Sequence, residues 1–199
     1  MNKLNYNDIW AGDFFSTEGK GILGWLNSKM TVTKYGNHTK EYHFGVIGDP
    51  IYYLDGSFED FETRESIGKG PSTLRFFSQY RGKKVTLYRL KGITKEDGLR
   101  LVRSISLIGK YGYGYRDFFE AALDVFTNLI GLQFPPYRVD QFRSSMNKKY
   151  ICTEVPAFGA SQIKMSIEPK KCSDCWVIPV VYLEAIEDGK LEVYYEGNL

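Results

Sequence analysis

Apolar positions along the chain alternate between a period of two and a period near 3.6, the spacings of strand and helix. The stretch DIWAGDFFST (8–17) places a turn at Ala11-Gly12-Asp13 ahead of a short strand. In KGILGWLNSKM (20–30), Ile22, Trp25, Leu26 and Met30 recur at near-helical spacing and predict a short helix. Two aromatic, β-branched runs, EYHFGVIG and PIYYLDGSF, flank Gly48-Asp49-Pro50, a turn signal that predicts a hairpin. Another strand is predicted over KKVTLYRLKG (83–92), where Val85, Leu87 and Leu90 keep an imperfect alternation.

Beyond that point the period lengthens. Thr94 followed by Asp97 has the form of a capping box, and Leu99, Val102, Ile105 and Ile108 make one apolar stripe behind it. A second helix is predicted over 117–130, with Phe118, Ala122, Val125 and Phe126 inward and Gly131 as its stop. After Pro135-Pro136, the segment YICTEVPAFG (150–159) reads as a helix start that carries Cys152. The runs CWVIPVVYLEAI and LEVYYE look like two strands around the turn EDGK. Such a mixture predicts an α+β fold, an antiparallel sheet with helices packed on it. No repeat or linker breaks the chain, and 199 residues suit a single domain spanning 1–199.

Composition narrows the function classes. The 26 Lys and Arg against 24 Asp and Glu leave a net charge of +2 with no long like-charge run, so no footprint for a phosphate backbone is present and a nucleic-acid partner is not expected. No stretch reaches the ~18 apolar residues of a membrane span, and the N-terminus lacks the apolar core of a signal peptide. An odd count of 3 Cys fits free thiols in a reducing compartment. The expected location is therefore cytoplasmic, with release by lysis as the exception for a phage product. Aromatic residues make up 16% of the chain and are read mainly as sheet core.

Candidate chemistry centres on Cys152. A cysteine is a useful nucleophile when its thiolate is favoured, at a helix N-terminus or beside an imidazolium; otherwise it packs as a small hydrophobe. Only two histidines are present. His38 sits in the polar loop YGNHTKEY and reads as solvated, whereas His43 lies in a strand, with Gly45 and Ile47 on its face and Tyr42, Phe44 and Val46 on the other. Asp55, across the expected hairpin, is the candidate for orienting the imidazole. Cys172 and Cys175 form a Cys-x-x-Cys pair, but structural zinc takes four ligands and no second pair completes the set. They read as two ordinary thiols, with an oxidative disulfide or a metal shared across an oligomer as alternatives. No cofactor or metal is expected.

Taken in order, AGDFFS, HFGVIG, YYLDGS, YGYGYRDFFE and YICTEVPAFGA resemble the circularly permuted branch of the NlpC-type papain-like superfamily, the YiiX- and YebB-like proteins, over about 9–160. The resemblance implies a permuted papain-like fold with a barrel-like antiparallel sheet. It further implies a thiol hydrolase, an amidase or peptidase, with Cys152 as nucleophile, His43 as general base and then acid, and Asp55 as orienting group. Gly12-Asp13 would be structural at the first strand, and Glu154 would lie on the helix behind the nucleophile. The substrate would be a peptide or acyl-amide, such as a cell-wall peptide. Two departures stand out: Asp55 is shorter than the Glu common in that branch, and Pro156 follows Cys152 by four residues, where it removes a helical N–H. Two other readings are a non-catalytic module that holds a peptide or lipid on the same fold, and a zinc-dependent assembly protein built on Cys172 and Cys175.

Overall fold

A computed structural model describes residues 4–19, 33, 35–38, 40–67, 70–107, 152–167 and 179–199. The helices expected over 20–30 and 117–130, the Pro135-Pro136 loop, Cys172 and Cys175 lie outside them. Six strands form one sheet: β1 (Phe14–Glu18), β2 (Glu41–Tyr52), β3 (Phe58–Ile67), β4 (Gly70–Ser72), β5 (Lys84–Leu90) and β6 (Leu191–Asn198). All pairings are antiparallel, in the order β4-β3-β2-β1-β5-β6. Because β4 and β6 end the sheet without pairing to each other, it is open rather than barrel-like. The described helices are α1 (Phe76–Tyr80), α2 (Lys95–Ser106), α3 (Glu154–Gln162) and α4 (Pro179–Glu187), and the class is α+β.

Period-two alternation in the central strands supplies two cores. Phe14, Phe44, Val46, Tyr88 and Leu90 face one side and are covered by Leu101, Val102 and Ile105 of α2, Val155 and Ala160 of α3, and Tyr182 and Ala185 of α4. Phe15, Ile47, Val85 and Leu87 face the other side, where Phe76 and Tyr80 of α1, Phe61 and Ile9 close over them. Fully burying each large apolar side chain contributes about 1.5–3 kcal/mol, so both faces stabilise the sheet.

The expected start of β1 is observed. Gly12 has φ +94°, and its amide donates to the Ile47 carbonyl at 2.8 Å while the Ile47 amide donates to Asp13 at 2.7 Å. Thr94 caps α2, its hydroxyl accepting from the Asp97 amide at 3.1 Å. The buried stripe of α2 is shifted, since Leu101 is buried and Leu99 is 37% exposed.

Two expected elements are corrected. Gly48-Asp49-Pro50 makes no hairpin turn: β2 runs through it with a register shift, Ile47 pairing with Thr63 and Pro50 with Phe61, which is one extra residue on β2. That is a bulge, a site that tolerates the missing Pro N–H. The turn lies at Tyr53–Ser57, where Gly56 has φ +83°. The apolar run preceding EDGK is, over its described residues from Pro179 on, also not a strand. It contains α4, with Pro179 at its first position, where the absent N–H costs nothing, and with Val181, Tyr182 and Ala185 buried at helical spacing. Lys190 N to Ala185 O, 2.7 Å, and Gly189 N to Ile186 O, 2.9 Å, with Gly189 at φ +68°, close its C-terminus.

Candidate active site

His43 shares the β2 face of Gly45 and Ile47, against Phe15 and Tyr80. Gly45 is required there: a Cβ would lie 2.5 Å from the Phe15 ring and 3.0 Å from Glu65 Cβ. Gly45 pairs with Glu65 as the first β2–β3 register pair, so Glu65 projects beside His43 on the same face. Its carboxylate is fully buried. Glu65 Oε2 lies 2.5 Å from His43 Nε2 and accepts from the Tyr80 hydroxyl at 2.5 Å, and Oε1 accepts from the Thr63 hydroxyl at 2.5 Å. Three donors on one carboxylate fix its rotamer, which in turn fixes the plane of the imidazole.

Tyr80 is delivered by α1, a five-residue helix too short to persist alone. Asp60 of β3 anchors it, accepting from the amides of Phe77 at 2.8 Å and Ser78 at 3.0 Å and from the Ser78 hydroxyl at 2.7 Å. The acidic strand thus supplies both the cap of α1 and the partner of His43.

Cys152 stands two residues before the first residue of α3 and is 7% exposed. Its thiol contacts the Tyr42 carbonyl at 3.9 Å. Carbonyls point along the plane of a sheet, and residues 41–43 run past the Gly45–Glu65 pair. A helix that packs on one face can therefore present its preceding residue, around the strand, to a side chain of the other face. Cys152 lies close enough to His43 for its sulfur to raise the imidazole's pKa. Because Nε2 faces Glu65, Nδ1 is the ring nitrogen left for the sulfur. Glu154 and Val155 open the helix, and Thr153 makes no side-chain cap to its first-turn N–H groups. Pro156 is the third residue of α3, where an N–H has no intrahelical partner in any case, so it forfeits no bond.

Burial acts to lower the His43 pKa, but hydrogen bonds to Cys152 and Glu65, and the negative charge of both partners, carry it up to about 10. For Glu65, burial acts upward and is overcome by the hydrogen bond and charge of His43 and by the Thr63 and Tyr80 hydroxyls, so its carboxyl titrates below the ordinary value. Burial first, and then the Glu65 charge, raise the Tyr80 phenol. At neutral pH the arrangement favours an imidazolium held between a carboxylate and a sulfur.

The structure thus brings Cys152 and His43 together and leaves Asp55 out. Asp55 occupies the β2–β3 turn, fully exposed, its Oδ1 accepting from the Ser57 amide at 2.9 Å and hydroxyl at 2.6 Å. From His43 to Tyr52 is already nine strand residues, roughly 30 Å. Glu65 takes the position assigned to Asp55, because the hairpin turns at Asp55 itself and the returning strand carries Glu65 back to His43. Asp13 is structural: it is 2% exposed and accepts from the Trp10 amide at 2.7 Å, from Arg89 Nε and Nη2 at 2.7 Å each, and from the Tyr194 hydroxyl at 2.8 Å. His38 is exposed.

Among the described residues, no helix is long and apolar enough to cross a membrane. No protein-family model matches the chain, and no curated protein is significantly similar to it.

Proposed function

We propose that the protein is a thiol hydrolase of permuted papain-like type, with Cys152 as nucleophile, His43 as general base and acid, and Glu65 as the group that orients and charges the imidazole. The observation that carries this reading is the chain of contacts from His43 to a Glu65 pinned by Thr63 and Tyr80, with the buried Cys152 beside the imidazole. An isolated core cysteine has no need of such a chain. The order of the pieces, histidine on one strand, an acidic residue on the next and then a cysteine leading into a helix, supports the permuted arrangement.

In the reaction, the thiolate attacks an amide or ester carbonyl and forms a C–S bond. In this reading, N–H groups at the start of α3 stabilise the oxyanion. The imidazolium gives its proton to the leaving amine or alkoxide as that bond breaks, leaving a thioester on Cys152 and neutral His43. Water, deprotonated by His43, then cleaves the thioester and restores the thiolate–imidazolium pair. The substrate class is a peptide or acyl-amide.

The test is acyl transfer from 4-nitrophenyl esters, read by intact-protein mass, in a Cys172→Ser, Cys175→Ser background. A stoichiometric burst of nitrophenol and an acyl adduct on Cys152 are expected, both lost in Cys152→Ser and in His43→Ala. An adduct that forms equally fast in His43→Ala would sink the reading and leave a non-catalytic module.

A further inference from the structure

A second cleft opens at the other end of β2, on the order of 25 Å from His43 at the rise of a strand. Its volume is about 510 Å³, within the range of small-molecule sites, and three separate segments build it: the N-terminal turn with Tyr6 and Trp10, the β2–β3 hairpin with Tyr52 and Phe58, and the start of α2 with Lys95. One wall is a ladder of rings. Tyr6 stacks on Phe58 with centroids 4.6 Å apart and planes 3° from parallel, Tyr52 meets Phe58 edge-on at 6.3 Å, and Phe58 continues to Phe61 at 5.0 Å. The inner rung, Phe61, is 5% exposed, whereas Tyr6 and Tyr52 leave 47% and 57% of their surface in water. Opposite stands Trp10, with the Arg89 guanidinium 3.8 Å and the Lys95 ammonium 5.0 Å from its ring. The two cations differ in what else they do. Arg89 is engaged in both hydrogen bonds to Asp13, while Lys95 is exposed and is the one charged residue among the described lining residues.

We propose that this cleft binds an aromatic anion, its acidic group on Lys95 and its ring system in the corner between Tyr6 and Tyr52, whose planes are nearly perpendicular, so that it lies flat on one ring and meets the other edge-on. The charge of the lining selects the sign, and the flat, solvent-facing phenols select the body: aromatic stacking contributes about 0.5–1.5 kcal/mol per pair beyond burial, and a partly desolvated ammonium strengthens its hold on an anion. The site is independent of the hydrolase reading, because none of its lining residues shares a hydrogen bond, ion pair or ring contact with Cys152, His43 or Glu65 among the described residues.

Two fluorescent probes with the same rings separate charge from shape: 8-anilinonaphthalene-1-sulfonate, which carries a sulfonate, and N-phenyl-1-naphthylamine, which does not. On the full chain we expect saturable one-to-one binding of the sulfonate at least tenfold tighter than of the neutral amine. Lys95→Gln abolishes that preference, Tyr52→Ser weakens both probes, and Cys152→Ser changes neither. Lys95 and Tyr52 are exposed, so both variants keep the wild-type melting midpoint, and Lys95→Glu, which inverts the preference, is the second check. Equal affinity for the two probes, indifference to Lys95→Gln, or a concentration-dependent dimer that Tyr52→Ser dissolves each overturns the proposal, the last by making the cleft a surface for a second copy.

Discussion

Replacing Glu65 by Gln keeps the shape of the buried carboxylate and removes its charge. Raising a histidine from 6.5 to about 10 corresponds to about 5 kcal/mol of interaction net of the burial that opposes it, at 1.36 kcal/mol per pH unit. Cys152 and Glu65 both contribute, so the share lost with the Glu65 charge is about 2 kcal/mol. The sign with pH follows from linkage. A histidine raised in the folded state adds its stability in full below 6.5 and loses it as pH climbs through about 10. A carboxyl lowered in the folded state adds stability above 4.5 and loses it as pH falls through its folded value. Both terms are at full strength only between those two ordinary values. Urea unfolding at about pH 5.5 is therefore expected to place Glu65→Gln about 2 kcal/mol below the wild type, and the gap should shrink to ~1 kcal/mol or less by about pH 9.5. Tyr80→Phe serves as the control. It keeps the charge and forfeits one hydrogen bond to it, a cost of about 1 kcal/mol that stays nearly constant over the same interval. A Glu65→Gln gap that is independent of pH would refute the ion pair and reduce Glu65 to a neutral acceptor.

Asp55→Asn should leave both the melting midpoint and Cys152 acylation at wild-type levels, since Asn makes the same turn contacts with Ser57; a clear loss of acylation would restore Asp55 to the site. Gly45→Ala drives a methyl to within 2.5 Å of the Phe15 ring and 3.0 Å of Glu65 Cβ, and is expected to cost about 1–3 kcal/mol by calorimetry while slowing Cys152 acylation, because the carboxylate and the imidazole shift together. A stable Gly45→Ala protein with unaltered acylation would show that the His43–Glu65 geometry has more slack than the packing implies.

Legibility in the sequence tracked how local the determining physics was. The Ala11-Gly12-Asp13 turn, the cap at Thr94 and the EDGK turn each rest on residues within a few positions of one another, and all three are where the pattern placed them. The α4 run failed because Val180, Val181 and Tyr182 satisfy a buried strand as well as a buried helix, and only tertiary packing on Phe44 and Phe14 selects the helix. β3 gave no apolar pattern at all. Its alternation is carried by Phe61, Thr63 and Glu65, all buried, and two of the three are polar.

That same strand explains why the cysteine and histidine of the candidate site were readable and the carboxylate was not. Cys152 and His43 announce themselves by residue type, whereas an acidic partner must be chosen from 24 Asp and Glu by register alone. Register hangs on where the hairpin turns. Two turn signals compete within nine residues, Gly48-Asp49-Pro50 and Asp55-Gly56, and Asp-Gly is the stronger because a tight turn needs the positive φ that Gly56 adopts. Placing the turn there, with one bulged residue at the Gly48-Asp49-Pro50 segment, brings Glu65 opposite Gly45, two residues from His43 and on its face. Placing it at Pro50 puts Asp55 in that role instead. A shift of a few residues in one turn thus changes the identity of the acidic group, and with it whether the imidazole meets a carboxylate buried among three donors or one dissolved at a loop tip.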